Sequence, residues 1–327
     1  MFEETAMLFL TVETPLHAGS GSSLSLVDLP IQREQATGYP MVQSSSLKGA
    51  LRGEFARSVG QGSVERGNAA PHIVTVFGPD TSQASKHAGA VAIGDARLLL
   101  FPVRSLKGVF AWTTTYTVLA RLVRDLRAAG IQHSWSPLEV AAEGEAYVSP
   151  ENHLTTTDGK LMLEEFVFTA MSKPEVATLG TWLTSRIFPA TPEYDPWRSW
   201  IARRLVVLHD DAFRDFTLFG TEVVSRIRLD PGTKTVARGA LWTEEHLPTD
   251  SVLYAPVYAS AARADAPPDD VKTAANVLAY VDAHLPSRFQ LGGDETVGRG
   301  LVAAHLLMPG ESQNSGTTED EGGESDV

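Results

Sequence analysis

The chain has 327 residues, no cysteine, 43% hydrophobic and 20% charged residues, and a formal net charge of −13. There is enough apolar material for a packed core. The lack of cysteine excludes disulfides, thiolate zinc sites and a cysteine nucleophile, and makes a reducing cytoplasm the expected compartment. Apolar runs such as residues 6–12 and 98–103 fall far short of the ~20 residues that span a bilayer, and the acidic start Met1-Phe2-Glu3-Glu4 lacks the basic region of a secretory signal. No membrane partner is expected.

Net acidity argues at first sight against nucleic acid, because neutralising phosphates takes Lys and Arg. However, residues 310–327 hold six acids and no base among Gly, Ser and Thr, which predicts a disordered acidic tail. The remaining residues 1–309 read as one domain, in which the placement of 27 Lys and Arg decides what binds.

In chain order, residues 6–12 alternate as a strand, and Thr14-Pro15 bends the chain into a loop where Gly19 and Gly21 allow close approach to a ligand. Ser44, Ser45 and Ser46 are N-cap candidates for a helix over about 46–59, with Leu47, Leu51, Phe55 and Val59 as its buried stripe. Residues 89–103 read as one mostly buried strand and about 115–129 as a helix stopped by Gly130. Residues 131–200, rich in Pro and Trp with weak periodicity, are expected to be an irregular or helical insertion. Asp230-Pro231-Gly232-Thr233 separates two extended runs, predicting a hairpin over about 222–247. A helix over 269–285, a strand over 289–291, the loop 292–300 and a last strand over 301–308 follow. Without regular βα alternation, the class is α+β.

Three features carry candidate chemistry. Residues 293–299 spell G-x-x-x-x-G-R, a near miss of a phosphate loop. Gly300 supplies no hydroxyl for magnesium and the loop opens a strand, so a nucleotide-binding enzyme is disfavoured. Four glycines and Arg299 within 292–300 still make a nest able to meet phosphates through backbone N–H groups, against the ordinary alternative of a glycine-rich turn. In 44–52, a helix start combines hydroxyls with Lys48 and Arg52 one turn apart. It is either an anion site or a capped surface helix with solvated bases. Asp28, in Leu26-Val27-Asp28-Leu29-Pro30, is either a turn cap or a carboxylate held for acid–base work or a hydrated metal ion. The nine histidines show no zinc-binding spacing, and there is no G-x-S-x-G elbow.

Taken together, Thr14-Pro15-Leu16-His17-Ala18-Gly19-Ser20-Gly21, Val27-Asp28-Leu29-Pro30-Ile31-Gln32-Arg33-Glu34, Thr37-Gly38-Tyr39-Pro40 and the segments 44–52 and 292–300 resemble the RAMP proteins of CRISPR systems. Within them the likeness is to the repeated backbone subunit of the type III-B (Cmr) effector, its target-RNA endoribonuclease. Residues 95–105, 228–230 and 239–242 add to it. The chain departs from the family in having Gln43 where a Pro-Gly precedes the serines.

The resemblance implies a modified RNA-recognition-motif (ferredoxin-like βαββαβ) core, with the hairpin as a thumb that pries base pairs apart. It implies stacking with further copies of the chain into a helical filament on guide CRISPR RNA, beside a large polymerase-like subunit, a small helical subunit and end-capping RAMP subunits. Ser44, Ser45, Ser46, Lys48, Arg52, Gly292, Gly293 and Arg299 would hold guide phosphates. Asp28 would be the catalytic carboxylate for cleavage of target RNA by 2′-OH attack, as base or as ligand of Mg2+ or Mn2+, with His17, Glu244 and Glu245 as further candidates. The alternative is a non-catalytic RNA-binding subunit in which Asp28 only caps a turn.

Overall fold

The computed structural model describes residues 2–23 and 27–310, so the expected acidic tail lies, Gly310 apart, outside the described residues. The elements are β1 (Glu4–Val12), β2 (Met41–Val42), α1 (Ser44–Val59), α2 (Val64–Asn68), α3 (Pro71–Phe77), β3 (Val91–Ile93), β4 (Ala96–Arg104), β5 (Phe110–Thr115) and α4 (Tyr116–Ala128). Then come β6 (Glu145–Val148), β7 (Lys160–Leu163), β8 (Phe166–Ser172), α5 (Pro174–Thr184), α6 (Asp195–Arg204), β9 (Leu205–Leu208) and α7 (Asp210–Phe219). The chain finishes with β10 (Glu222–Leu229), β11 (Val236–His246), β12 (Val252–Ala259), α8 (Ala274–His284), β13 (Arg288–Gln290) and β14 (Leu301–Leu307). The α+β class holds.

One large mixed sheet runs in the order β13-β14-β1-β12-β4-β5-β9-β6-β8-β7, with β3 also on β12 and β2 on β4, and β10 and β11 form a separate hairpin. β1 is central and antiparallel to both β12 and β14. Its residues 6–12 are all buried, so the apparent alternation in sequence does not separate a wet face from a dry one. On one face Leu8 shares an apolar pocket with Leu51 and Phe55 of α1 and Val281 of α8. On the other, Phe9 meets Trp182 of α5 edge-on, with ring centroids 6.4 Å apart.

That second face corrects the expectation at 131–200, where helices are present as expected but strands replace the irregular part. The segment holds three strands and two helices, ordered because its apolar residues cover a sheet face that water would otherwise touch. The single strand expected at 89–103 is broken at Gly94-Asp95. The Gly94 N–H donates to the Pro256 carbonyl at 2.8 Å, and a Cβ on Gly94 would lie 2.8 Å from the Pro256 ring. β12, a central strand that the sequence reading passed over, tolerates its proline because Pro256 falls between the β3 and β4 pairings. The helix expected from 269 begins at Ala274, capped by the Thr273 hydroxyl. Val59 is 40% exposed and leaves the α1 stripe to Leu47, Leu51 and Phe55.

Candidate functional site

The α1 helix starts two residues earlier than expected, and Gln43 is its N-cap, with no side-chain cap bond. The serines therefore occupy the first turn, a correction to their N-cap role. The Ser44 amide donates to the Asp95 carboxylate at 2.8 Å, and the Gln43 amide to the Gln32 side chain at 2.7 Å. Lys48 and Arg52 do share a face, but it is turned inward. Lys48 Nζ donates to the Val91 carbonyl at 2.9 Å, and Arg52 donates to the Asn68 side chain and the Gly78 carbonyl at 3.0 and 2.6 Å. Burial lowers the pKa of both.

A different face of α1 borders an open groove of about 470 Å³. Ser46, Gly49, Gly53 and Arg57, spaced three and four residues apart, form that wall. His17, Gly19 and Gln32 come from the loop after β1, and Gln290, Gly292 and Gly293 from the far side. A Cβ added to Gly49 or Gly53 would meet nothing within 4 Å, so helix backbone is bare toward the groove. Arg57 is offset by Glu54, its ion-pair partner, and by Glu295 on the same groove. The sequence reading missed Gly49, Gly53 and Arg57 as a set, although a small-residue stripe at helical spacing was there to be read.

The loop 292–300 leads into β14, not into a helix, as the near-miss motif required. It is tied to the loop after β1: the Gly293 amide donates to the His17 carbonyl at 2.8 Å and the Gly300 amide to the Pro15 carbonyl at 3.0 Å. Gly292 (φ +83°) admits no side chain, because a Cβ would lie 2.4 Å from the His17 carbonyl oxygen. Arg299 does not border the groove, and its charge instead bears on buried His246.

Asp28 is exposed at the base of the hairpin. Its Oδ2 accepts from the Thr243 amide at 2.8 Å and from the Thr243 hydroxyl at 2.9 Å. These bonds hold its carboxyl below the usual carboxylate range. The next residues run along β11: the Leu29 amide donates to the Thr243 carbonyl, and the Glu245 amide to the Leu29 carbonyl, both at 3.0 Å. His17 docks two residues further on, its Nδ1 2.7 Å from the Glu245 carbonyl. A carbonyl only accepts, so Nδ1 carries the proton and Nε2 is the basic nitrogen of the neutral ring. Alternate residues of a strand lie about 7 Å apart, so β11 sets the spacing of the two anchors.

Glu244 and Glu245 are both buried and engaged. Glu245 accepts from Arg33, the Ile31 amide and the Thr221 hydroxyl. Glu244 accepts from Arg226 Nε at 2.8 Å and Trp242 Nε1 at 2.7 Å, which hold its pKa down against burial. Beside it lies fully buried His246, whose pKa is lowered by burial first and then by Arg299 and His17. Among the described residues two clusters have metal-binding geometry, Glu244–His246–Asp294 and Glu143–His209–Asp211. Asp28 belongs to neither.

The hairpin beyond this base exposes Val223, Ile227, Leu229, Val236 and Leu241, each about half exposed or more. Such a row of apolar side chains on a two-stranded ribbon is the kind of exposed patch that marks an interaction surface.

A model of the RAMP superfamily matches residues 9–303. The chain is 36% identical over 305 residues to the CRISPR system Cmr endoribonuclease Cmr4 of Pyrococcus furiosus, covering 93% of this chain and 95% of the relative. It is 26% identical over 313 residues to the CRISPR system CMR subunit Cmr4 of Saccharolobus solfataricus, covering 91% and 95%. The crystal structure of oligomeric Cmr4 from Pyrococcus furiosus superposes with a TM-score of 0.67 at 28% identity, covering 93% of this chain and 98% of that one. With the fold, the motifs and the sequence in agreement over nearly the whole length, the chain belongs to the RAMP superfamily.

Proposed function

We propose that this protein is the repeating backbone subunit of a type III-B CRISPR effector, acting in the cytoplasm, and that it cuts target RNA at Asp28. The observation that carries the reading is an exposed carboxylate, kept ionised by Thr243, at the base of a hairpin with an apolar flank. The relative at 36% identity is an endoribonuclease by name. In the sheet, β14-β1-β12-β4 with α1 and α8 supports an RNA-recognition-type core. Guide RNA would lie in the groove between the α1 glycine wall and Gly292-Gly293. The hairpin would reach between target base pairs and meet a neighbouring copy, beside the large, small and end-capping subunits of such an effector.

In cleavage, the 2′-oxygen attacks the adjacent phosphorus and the 5′-oxygen leaves, giving a cyclic phosphate and a 5′-hydroxyl. The hairpin's part is to unstack one nucleotide so that the attacking oxygen lies in line, which alone can supply ~7 to 11 kcal/mol. A carboxylate with a depressed pKa is a weak base, so Asp28 serves by its charge, and the lone pair that the Nδ1 bond leaves on His17 Nε2 is the proton acceptor. A divalent ion at Asp28 would be held by this one exposed carboxylate, water and RNA oxygens, the usual mode for Mg2+. Its chemistry when bound is to neutralise charge on the phosphate oxygens.

The second reading, a non-catalytic RNA-binding subunit, draws on the same clamp, because the bonds from Asp28 to Thr243 are a structural role in themselves. Asp28→Asn separates the two in a guide-loaded complex given labelled target RNA and Mg2+ or Mn2+. Loss of the regularly spaced ladder with target binding intact supports the nuclease; an unchanged ladder leaves the structural subunit.

A further inference from the structure

We propose that Glu244, His246 and Asp294 form a binding site for a divalent transition-metal ion, Zn2+, which fastens the glycine loop to the base of the hairpin. The site is separate from the divalent ion considered at Asp28, and the inference stands whether or not the protein cuts RNA.

One donor atom from each residue lies within 4.8 Å of the others. His246 Nε2 is 3.6 Å from Asp294 Oδ2 and 3.9 Å from Glu244 Oε2. Those separations are too long for hydrogen bonds, whose N···O distances end near about 3.2 Å. They are close to the edge of a tetrahedron of ligands around zinc, about 3.4 Å for bonds of ~2.0 to 2.2 Å. Contraction by up to about half an ångström brings both His246 pairs to that edge, and the third pair, Glu244 with Asp294, lies within 4.8 Å.

The second observation is independent of the spacing. His246 is 0% exposed, yet neither of its ring nitrogens has a hydrogen-bond partner, and Asp294 Oδ2 has none either. A neutral imidazole always has one N–H and one lone pair, and burying both unpaired is costly. A metal ion takes the lone pair of His246 and the orphan oxygen of Asp294 together.

Glu244 is already oriented for this by Trp242 on Oε1 and Arg226 on Oε2, the kind of outer hydrogen bonds that fix metal ligands. The Arg226 bond leaves a second lone pair on Oε2. The imidazole selects zinc over magnesium or calcium, which prefer oxygen donors throughout, and the two carboxylates supply the negative charge, of which Arg226 already offsets part at Glu244. Water would take the fourth position.

The consequence is mechanical. Asp294 sits in a left-handed conformation (φ +63°) inside the glycine loop, whereas Glu244 and His246 flank the β11 residue whose carbonyl holds His17. An ion there would lock the groove wall to the strand that also carries Thr243.

The test uses the full chain, stripped with a chelator and dialysed against limiting Zn2+. Elemental analysis should give one equivalent per chain in the unmodified protein and a full equivalent less in Asp294→Asn and His246→Ala. Zinc held elsewhere, at Glu143, His209 and Asp211 included, is common to all three and cancels. Co2+ in place of Zn2+ should give the visible bands of a tetrahedral site, and Zn2+ should raise Tm in the unmodified chain only. Equal zinc in the Asp294→Asn variant, or no bound equivalent and no cobalt bands in the unmodified chain, overturns the proposal. If His246→Ala fails to fold, Asp294→Asn decides the matter, because zinc at Glu143, His209 and Asp211 would be present in both chains.

Discussion

The carboxylate oxygen Oδ2 of Asp28 takes both hydrogen bonds that Thr243 can donate, from its amide and its hydroxyl, across 215 residues of sequence. Thr243 in turn lies in β11, so the orientation of Asp28 and the root of the hairpin are one structural unit. Changes at either residue should be felt at the other.

Asp28→Asn should keep the clamp, because the amide oxygen still accepts, and lose at least ~100-fold in target cleavage through loss of charge. Thr243→Val removes the hydroxyl but not the amide, so cleavage should fall by a smaller factor with guide affinity unchanged. Single-turnover cleavage beside filter binding checks both; equal losses in the two variants would contradict the separation of charge from placement.

The depressed pKa of Asp28 has a definite sign. Its folded value lies below the unfolded one, so its contribution to stability is present above ordinary carboxylate pH and is lost only as pH falls through the folded value. Carboxylate-selective NMR titration of the full chain should therefore place Asp28 below the free value of about 3.9. In Thr243→Val it should move upward. A midpoint at or above the free value in the unmodified chain contradicts the clamp.

Gly49 and Gly53 weaken α1 as a helix yet face open space. Gly→Ala at either should stabilise the fold by about 0.5 to 1 kcal/mol and weaken RNA binding, because each methyl stands where the RNA backbone would approach. Thermal unfolding paired with a binding isotherm tests this, and stabilisation with unchanged RNA affinity would remove α1 from the interface.

The inward turn of Lys48 and Arg52 divides the cations of α1. Arg57→Ala should reduce the slope of log K against log salt by about one unit. Lys48→Met should leave the slope as it was and change mainly the melting temperature. The reverse pattern would restore Lys48 as a phosphate ligand.

Arg33 and Glu245 are a mostly buried pair near the Asp28 segment, with side chains 20% and 8% exposed. Arg33→Ala leaves Glu245 without its cation and should cost about 3 to 5 kcal/mol. Denaturant unfolding measures it, and a loss under ~1 kcal/mol would mean that water replaces the guanidinium freely.

The sequence by itself determined the elements whose signals are local. The four-residue spacing of Leu47, Leu51 and Phe55 made α1 legible, Gly130 marked the end of α4, and Asp230-Pro231-Gly232 announced the hairpin turn, which Asp230 closes through bonds to the Gly232 and Thr233 amides. The segments around Asp28, the serines and the glycine loop pointed to the family through composition and order alone. Tertiary structure decided the rest. Lys48 and Arg52 look identical in sequence whether they face a ligand or the Val91 and Gly78 carbonyls, because periodicity fixes which residues share a face and not what that face meets. Residues 131–200 carry weak periodicity because their order comes from covering the Phe9 side of β1. Asp28 found Thr243, and His246 found Asp294, only through β11. Burial and hydrogen-bond satisfaction are properties of surfaces assembled from distant segments, and no window of the chain contains them.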